Sequence, residues 1–271
     1  AIIMFMSEGR YRDHIKQSGG CLMLRSVKEL QGYVLAAKDG EIGRCKDFLF
    51  DDSAWTIRYM VADSGKWLPK RKVLISPMSL REPDWESRLF PVILDKEQIE
   101  KSPTLESDAP VSRQYEREWY KYFNWSPYWY GGGIWGAGAQ PWELTERATT
   151  KDSMDEAVEA PTHNLRSIHE VTGYHIHATD GEIGHVDDFV VDDSLWTIRY
   201  LVVDTRNWLP GRKVLVSPKW AKQVDWKSRT VHVDLERKLV KNAPAFDAKA
   251  PVNREYEARL YDYYGRPAYW D

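Results

Sequence analysis

Over most of the chain, apolar and polar residues alternate with a period of two in short runs separated by turn residues, the pattern of strands. The runs Tyr33–Lys38 and Tyr174–Thr179 return through Asp39-Gly40 and Asp180-Gly181. Asp-Gly between alternating runs predicts a tight hairpin, because both turn positions tolerate positive φ. A two-residue turn there puts Leu35, Ala37 and Ile42 on one face, and Ile176, Ala178 and Ile183 on its counterpart, as interior positions. The returning arms run on through Phe48-Leu49-Phe50 and Phe189-Val190-Val191 and turn at Asp51-Asp52-Ser53 and Asp192-Asp193-Ser194. The next strands, Thr56–Asp63 and Thr197–Asp204, are largely apolar on both faces. That predicts cover on both sides, from a following helix or from the other part of the chain. Lys72–Ser76 and Lys213–Ser217 are short strands stopped at Pro77 and Pro218, where the ring removes a ladder donor.

Strand pairs are predicted at 79–85 with 88–94 and at 220–226 with 229–235. In the last strand Phe90, Val92 and Leu94 match Val231, Val233 and Leu235 as core. The opposite face reads Leu89, Pro91, Ile93 in the first and Thr230, His232, Asp234 in the second, so only the first carries an extra apolar stripe. A short helix is predicted at Lys96–Lys101. Ser112 and Asn253 read as N-caps of helices bearing Tyr115, Trp119, Tyr122 and Phe123, or Tyr256, Leu260, Tyr263 and Tyr264, on one face. Such aromatic faces require cover and are expected to pack on the outside of a sheet. Tyr128-Trp129-Tyr130 and Gly131–Gly133 open a Gly- and Ala-rich linker with an acidic tract at Lys151–Glu159. Its composition predicts flexibility, with Trp135 and Trp142 as residues able to dock.

The chain states this pattern twice, at a constant offset of 141 residues that carries Trp55 onto Trp196, Leu24 onto Leu165, Asp84-Trp85 onto Asp225-Trp226, Pro110 onto Pro251 and Tyr128 onto Tyr269. Two copies are too few for a solenoid, so the repeating unit is a whole domain. The expected organisation is an N-terminal extension over 1–22, a first repeat over 23–129, a linker over 130–163 and a second repeat over 164–271.

The Asp-Gly-Glu-Ile-Gly opening at Asp39 and Asp180, the Trp-Thr-Ile-Arg-Tyr strand at Trp55 and Trp196, and the Val-Leu-x-Ser-Pro close at Val73 and Val214 resemble the PRC-barrel family. That family includes the reaction-centre H subunit and one domain of the ribosome maturation factor. The resemblance implies a mainly β protein, two small and mostly antiparallel β-barrels each followed by an aromatic-faced helix. It implies protein binding and hands over no catalytic residues.

Net charge is −3 at neutral pH. The repeats are balanced in charge and the linker is acidic, so no clustered basic face points to nucleic acid. The two cysteines, Cys21 and Cys45, are not repeat-related, which disfavours a structural disulfide. With no secretory pattern, this suggests a cytoplasmic setting. No run approaches the roughly 20 apolar residues of a membrane-spanning helix, although peripheral association with a membrane is compatible with the sequence.

Among residues that could carry chemistry, His163, His169, His175, His177, His185 and His232 fall in the second part of the chain. The two-residue turn puts His175 and His177 on one face and His185 on the other, so surface histidines are expected, with a metal site at His175 and His177 as the alternative. The Asp-Asp-Ser triplets read as turns, with paired carboxylates for acid–base work or Mg²⁺ as the alternative. No cofactor and no enzymatic activity are expected, since no nucleophile motif, phosphate-cradling loop or paired-Cys pattern is present. Arg58, Arg71, Lys72 and their counterparts are expected to cap strand ends and form internal ion pairs, with ligand-facing pairs with Asp63 and Asp204 as the alternative. The candidate partner surface is apolar: Leu89, Pro91 and Ile93 beside the aromatic helix residues Tyr115 and Trp119, backed by Trp67 and Trp208.

The resulting expectation is a non-catalytic protein-binding or assembly module of two barrels packed as a pseudo-two-fold pair. The alternatives are an accessory factor of a membrane or photosynthetic complex, a ribosome-assembly factor, and a metal-binding protein.

Overall fold

A computed structural model describes residues 23–106, 109–146, 164–205 and 212–271. The N-terminal extension with Cys21, the acidic tract, His14, His163 and Trp208 lie outside the described residues. The fold is mainly β and has two sheets. In the first repeat, β1 (Leu24–Ser26), α1 (Val27–Leu30), β2 (Val34–Ala37), β3 (Gly40–Asp51), β4 (Thr56–Asp63), β5 (Val73–Ile75), β6 (Leu89–Pro91), α2 (Lys96–Lys101) and α3 (Arg113–Phe123) follow in order, and then α4 (Glu143–Glu146). The second repeat runs β7 (Leu165–Ser167), α5 (Ile168–Val171), β8 (His175–Ala178), β9 (Gly181–Asp192), β10 (Ile198–Asp204), β11 (Lys213–Val216), β12 (Ala221–Asp225), β13 (Thr230–Val233), α6 (Arg237–Asn242) and α7 (Arg254–Tyr264).

The sheet orders are β5-β4-β3-β2-β6 and β11-β10-β9-β8-β13-β12. Among the described residues neither path closes by strand pairing, so the expected closed barrels are two open sheets of like order. Neither sheet is purely antiparallel, because β2 pairs with β6, and β8 with β13, in parallel. The hairpin register also differs from expectation. Ala37 faces Gly40, so the turn is Lys38-Asp39, and a shift between Leu35 and Ala36 leaves Ile42 as the extra residue of a bulge. Leu35, Ala37 and Ile42 are still all buried. The bulge in the second repeat brings His175 directly opposite His185, so these two share a face after all.

The strand that opens each repeat belongs to the other repeat's sheet. β1 pairs antiparallel with β9, Leu24 opposite Asp192, and β7 pairs with β3, Leu165 opposite Asp51. Asp188 accepts from Ser26 Oγ at 2.5 Å and from the Lys28 amide at 3.1 Å. Its mate Asp47 accepts from Ser167 Oγ at 2.5 Å and from the His169 amide at 3.1 Å. Arg25 pairs with Asp193 and lies over Trp85, and Arg166 pairs with Asp52 and lies over Trp226. On the axis relating the repeats, the Ile57 amide donates to Trp196 O and the Ile198 amide to Trp55 O, with the hydroxyls of Thr56 and Thr197 3.4 Å apart. The contacts between the two sheets are thus reciprocal.

Both faces of β4 are covered, as its pattern predicts. Tyr59 meets Trp119 of α3 edge-on at 5.5 Å between centroids, while the start of the strand abuts the second repeat. The helices begin at their predicted caps: Ser112 and Asn253 accept from the Tyr115 and Tyr256 amides. They end in left-handed residues, Asn124 and Gly265.

Candidate functional site

Side chains of β2 and β6 alternate between core and outside. Leu35, Phe90 and Val92 are buried, while Val34, Ala36, Leu89, Pro91 and Ile93 are half-buried on the opposite face. The parallel register seats Val34 beside Leu89 and Ala36 beside Pro91, giving one continuous apolar row. In the second repeat the same ladder carries His175 beside Thr230 and His177 beside His232, with the last two rings 5.6 Å apart. The structure therefore adds Val34 and Ala36 to the Leu89, Pro91 and Ile93 stripe. The signal was in the sequence, since the repeat offset sets Val34 and Ala36 against His175 and His177, but it needed the parallel pairing to be read.

Tyr115 and Trp119 do not join this surface, a correction to the expected partner site. Trp119 is only 1% exposed and packs on Tyr59, Tyr120, Phe123 and Trp125, and Tyr115 is buried with its hydroxyl on Pro103 O. An aromatic helix face this large is stabilised by covering it, and the chain uses its own core to do so. Trp67 is half-buried in the loop after β4 under Lys96 Nζ and takes no part in the cross-strand row.

Histidines 175, 177, 185 and 232 are exposed or half-buried, with His175 Nδ1 3.0 Å from Glu182. Among the described residues no three His, Cys, Asp or Glu side chains converge as metal ligands, so the His175 and His177 alternative lacks a third donor. The Asp-Asp-Ser triplets are turns: Asp51 Oδ1 accepts from the Ser53 and Ala54 amides, and Asp192 Oδ1 from those of Ser194 and Leu195. Cations at matching positions of the two repeats find internal partners. Arg58 pairs with Asp51, Arg71 reaches the last carbonyls of α2 from Ile99 to Ser102, and Lys213 pairs with Asp187.

Each repeat buries one polar chain against its long helix. Glu116 Oε1 accepts from the Tyr59 and Tyr128 hydroxyls at 3.0 and 2.9 Å and Glu116 Oε2 pairs with Arg113. Glu257 does the same with Tyr200, Tyr269 and Arg254. Burial pushes the Glu116 carboxyl above its usual range against the opposing pull of Arg113 and both tyrosines. Asp51 goes the other way. Burial raises it, but Arg58 and the hydrogen bonds from Ala54 and Ser53 outweigh that and hold it below the ordinary value.

The segment expected to be a flexible linker is docked over 130–146. Trp135 is 1% exposed and donates its indole N–H to Leu195 O at 2.8 Å, and Arg58 Nη1 donates to Ile134 O at 2.7 Å. A separate groove of about 460 Å³ lies where β1 crosses the second repeat, lined by Leu24, Val190, Phe246, Pro251, Val252 and Arg254.

Two open sheets of like order, joined by exchanged strands, carry one apolar and one histidine-bearing outer ladder, and among the described residues no group of three or more His, Cys, Asp or Glu could hold a metal ion. Residues 163–240 match the PRC-barrel domain. No curated protein matches the chain. No helix among the described residues is long and apolar enough to cross a membrane.

Proposed function

We propose that the protein is a non-catalytic protein-binding or assembly module made of two PRC-barrel repeats, 23–129 and 164–271, and that the outer face of β2 and β6 receives its protein partner. The observation that carries the reading is the asymmetry of that ladder. Val34, Ala36, Leu89, Pro91 and Ile93 stand half-buried where the other repeat has His175, His177, Thr230, His232 and Asp234 at the same positions. Apolar side chains on an outer ladder are a net cost in water unless something covers them, and the sister repeat does not need them. The unpaired buried thiol of Cys45 supports a reducing, cytoplasmic setting.

The test compares the full chain with the Leu89→Asp/Ile93→Asp variant as bait in native lysate, after checking that both melt at the same temperature. A stoichiometric partner held by the parent and lost by the variant supports the assignment, provided a Thr230→Asp/His232→Asp bait still holds it. Equal recovery on the parent and the first variant refutes it.

A further inference from the structure

The first repeat shows what covers the surface formed by Arg58 and Tyr128: its own Gly133-Ile134-Trp135-Gly136 turn. Gly133 and Gly136 exchange backbone hydrogen bonds at 3.0 and 3.1 Å, closing a tight loop that presents the Ile134 carbonyl and the Trp135 ring together. A Cβ at Gly136, where φ is +58°, would stand 2.5 Å from Tyr130 O, so the glycines are needed for this compact plug. Its contacts are Arg58 Nη1 to Ile134 O at 2.7 Å, the Arg58 guanidinium over the Trp135 ring at 4.7 Å, Tyr128 edge-on to that ring at 6.4 Å, and the indole N–H to Leu195 O at 2.8 Å.

Every receiving group of that plug has a counterpart at the repeat offset: Arg199 for Arg58, Tyr269 for Tyr128 and the Ala54 carbonyl for that of Leu195, with Trp270 and Trp55 beside them where the first site has Trp129 and Trp196. The Arg–Tyr pair is set up in the same way, and the Ala54 carbonyl, which accepts from the Thr56 hydroxyl at 3.2 Å, keeps its second lone pair for a further donor. Arg199 is fixed by Asp192 and lies over Tyr269 at 4.2 Å, as Arg58 is fixed by Asp51 and lies over Tyr128 at 4.0 Å. The reciprocal crossing of Ile57 on Trp196 O and Ile198 on Trp55 O brings Ala54 alongside β10 as it brings Leu195 alongside β4. Yet each counterpart is less covered. Tyr128 and Trp129 are buried where Tyr269 and Trp270 are half-buried, and the side chain of Arg199 is 11% exposed against 3% for Arg58. Among the described residues Arg199 Nη1 makes no hydrogen bond, whereas Arg58 Nη1 has Ile134 O.

We infer that the face formed by Ala54, Trp55, Arg199, Tyr269 and Trp270 is a second polypeptide-binding site, and that its ligand is a glycine-flanked tryptophan turn of the kind the first repeat supplies to itself. The incoming indole N–H donates to Ala54 O. The carbonyl before the tryptophan accepts from Arg199 Nη1, and the ring lies against the Arg199 guanidinium, beside the edge of Tyr269. Glycines on both sides of the tryptophan let the backbone close to the radius that the receiving surface matches, so specificity resides in turn compactness as well as in the ring. This site joins Arg199, Tyr269 and Trp270 of the second repeat to Ala54 and Trp55 of the first, shares no residue with the apolar β2–β6 row and does not depend on it.

The experiment titrates the peptide Gly-Gly-Gly-Ile-Trp-Gly-Ala-Gly onto the full chain, read by saturation-transfer NMR on the peptide. A second peptide, with a photoreactive diazirine residue in place of the isoleucine, maps the contact by cross-linking. The expected result is saturation of the indole protons with a Kd of about 1 mM or tighter. Replacing the peptide tryptophan by alanine weakens binding by about tenfold or more, as does Arg199→Lys in the protein, which keeps charge but loses the planar fork. Cross-links fall on residues 54–55 or 269–270. Absence of transfer at millimolar peptide, equal transfer from the alanine peptide, or cross-links confined to residues 128 and 195–196, which would report displacement of the native plug, each overturns the inference. The peptide variant keeps the test decisive even if Arg199→Lys perturbs folding.

Discussion

Asp188 offers the sharpest test of the strand exchange, because it belongs to one repeat and holds the opening strand of the other. Its carboxylate, 6% exposed, accepts from Ser26 Oγ, from the Lys28 amide at the start of α1 and from the Phe189 amide at 2.7 Å. Replacing it by alanine removes three acceptor contacts and strands the Phe189 amide in a buried position. Net hydrogen-bond worth of about 1 kcal/mol each, plus the penalty on the orphaned donor, sets a gross cost of about 4 kcal/mol. Burial has raised the Asp188 carboxyl above its usual range, so relief of that desolvation returns part, and the expected loss for Asp188→Ala is about 3 kcal/mol. Asp47 makes the equivalent contacts but is only half-buried, so Asp47→Ala should cost less, about 2 kcal/mol. Urea unfolding of the full chain gives both numbers, and a cycle with Ser26→Ala isolates the contact across the repeats, with an expected coupling of about 1 kcal/mol. If Asp188→Ala lowers stability by less than about 0.5 kcal/mol, or if it and Ser26→Ala are additive, β1 is not held in the second sheet and the reasoning fails.

The two buried carboxyls of the first repeat should respond to acid in opposite directions. Asp51 titrates below its ordinary value, so the advantage of the parent over Asp51→Asn is full above about pH 4 and shrinks as pH falls further. Glu116 titrates above its ordinary value, so the native state takes up a proton first and the parent gains on Glu116→Gln as pH drops from neutral toward about 4.3. Denaturation at several pH values reads both slopes. A Cβ at Gly43 or Gly184 would stand 2.1 or 2.0 Å from the carbonyl oxygen of Asp63 or Asp204, and alanine at either should cost about 3 kcal/mol or more by thermal melting. The Cys45 thiol, 1% exposed and pushed far up by burial, should resist a disulfide reagent in the native chain and react as urea unfolds it. A chain of residues 164–271 alone leaves β9 without β1 and should dimerise by exchanging its own β7; a stable monomer in light scattering would contradict this.

The alternation of apolar residues made the hairpins, the doubly covered strand β4 and the helix caps at Ser112 and Asn253 legible, because these depend on neighbours in sequence. What escaped depends on distant contacts. The bulge at Ile42 and its counterpart at Ile183 depend on how each hairpin pairs across its turn, and the second sets His185 on the face of His175. The parallel pairing of β2 with β6 cannot be read from either segment, and without it Val34 and Ala36 could not be joined to Leu89 and Pro91. Helical spacing gathers Tyr115 and Trp119 on one face but does not say what covers it, and the core takes their aromatic bulk inside. The glycines of 131–138 read as flexibility, since composition cannot distinguish a loose chain from a turn too tight for any Cβ.

Exchange of β1 and β7 also fixes an order of events during synthesis. Residues 24–26 are made early, but their hydrogen-bonding partners at 190–192 are made late, so the first sheet must wait with that segment unplaced, and with the Leu49–Asp51 edge of β3 bare, until β7 has been translated. Until then the nascent chain exposes two unsatisfied backbone edges with complementary shapes. Neighbouring ribosomes on one message would carry chains able to trade those segments, which makes translation density a variable in whether this protein matures as a single chain or as intertwined ones.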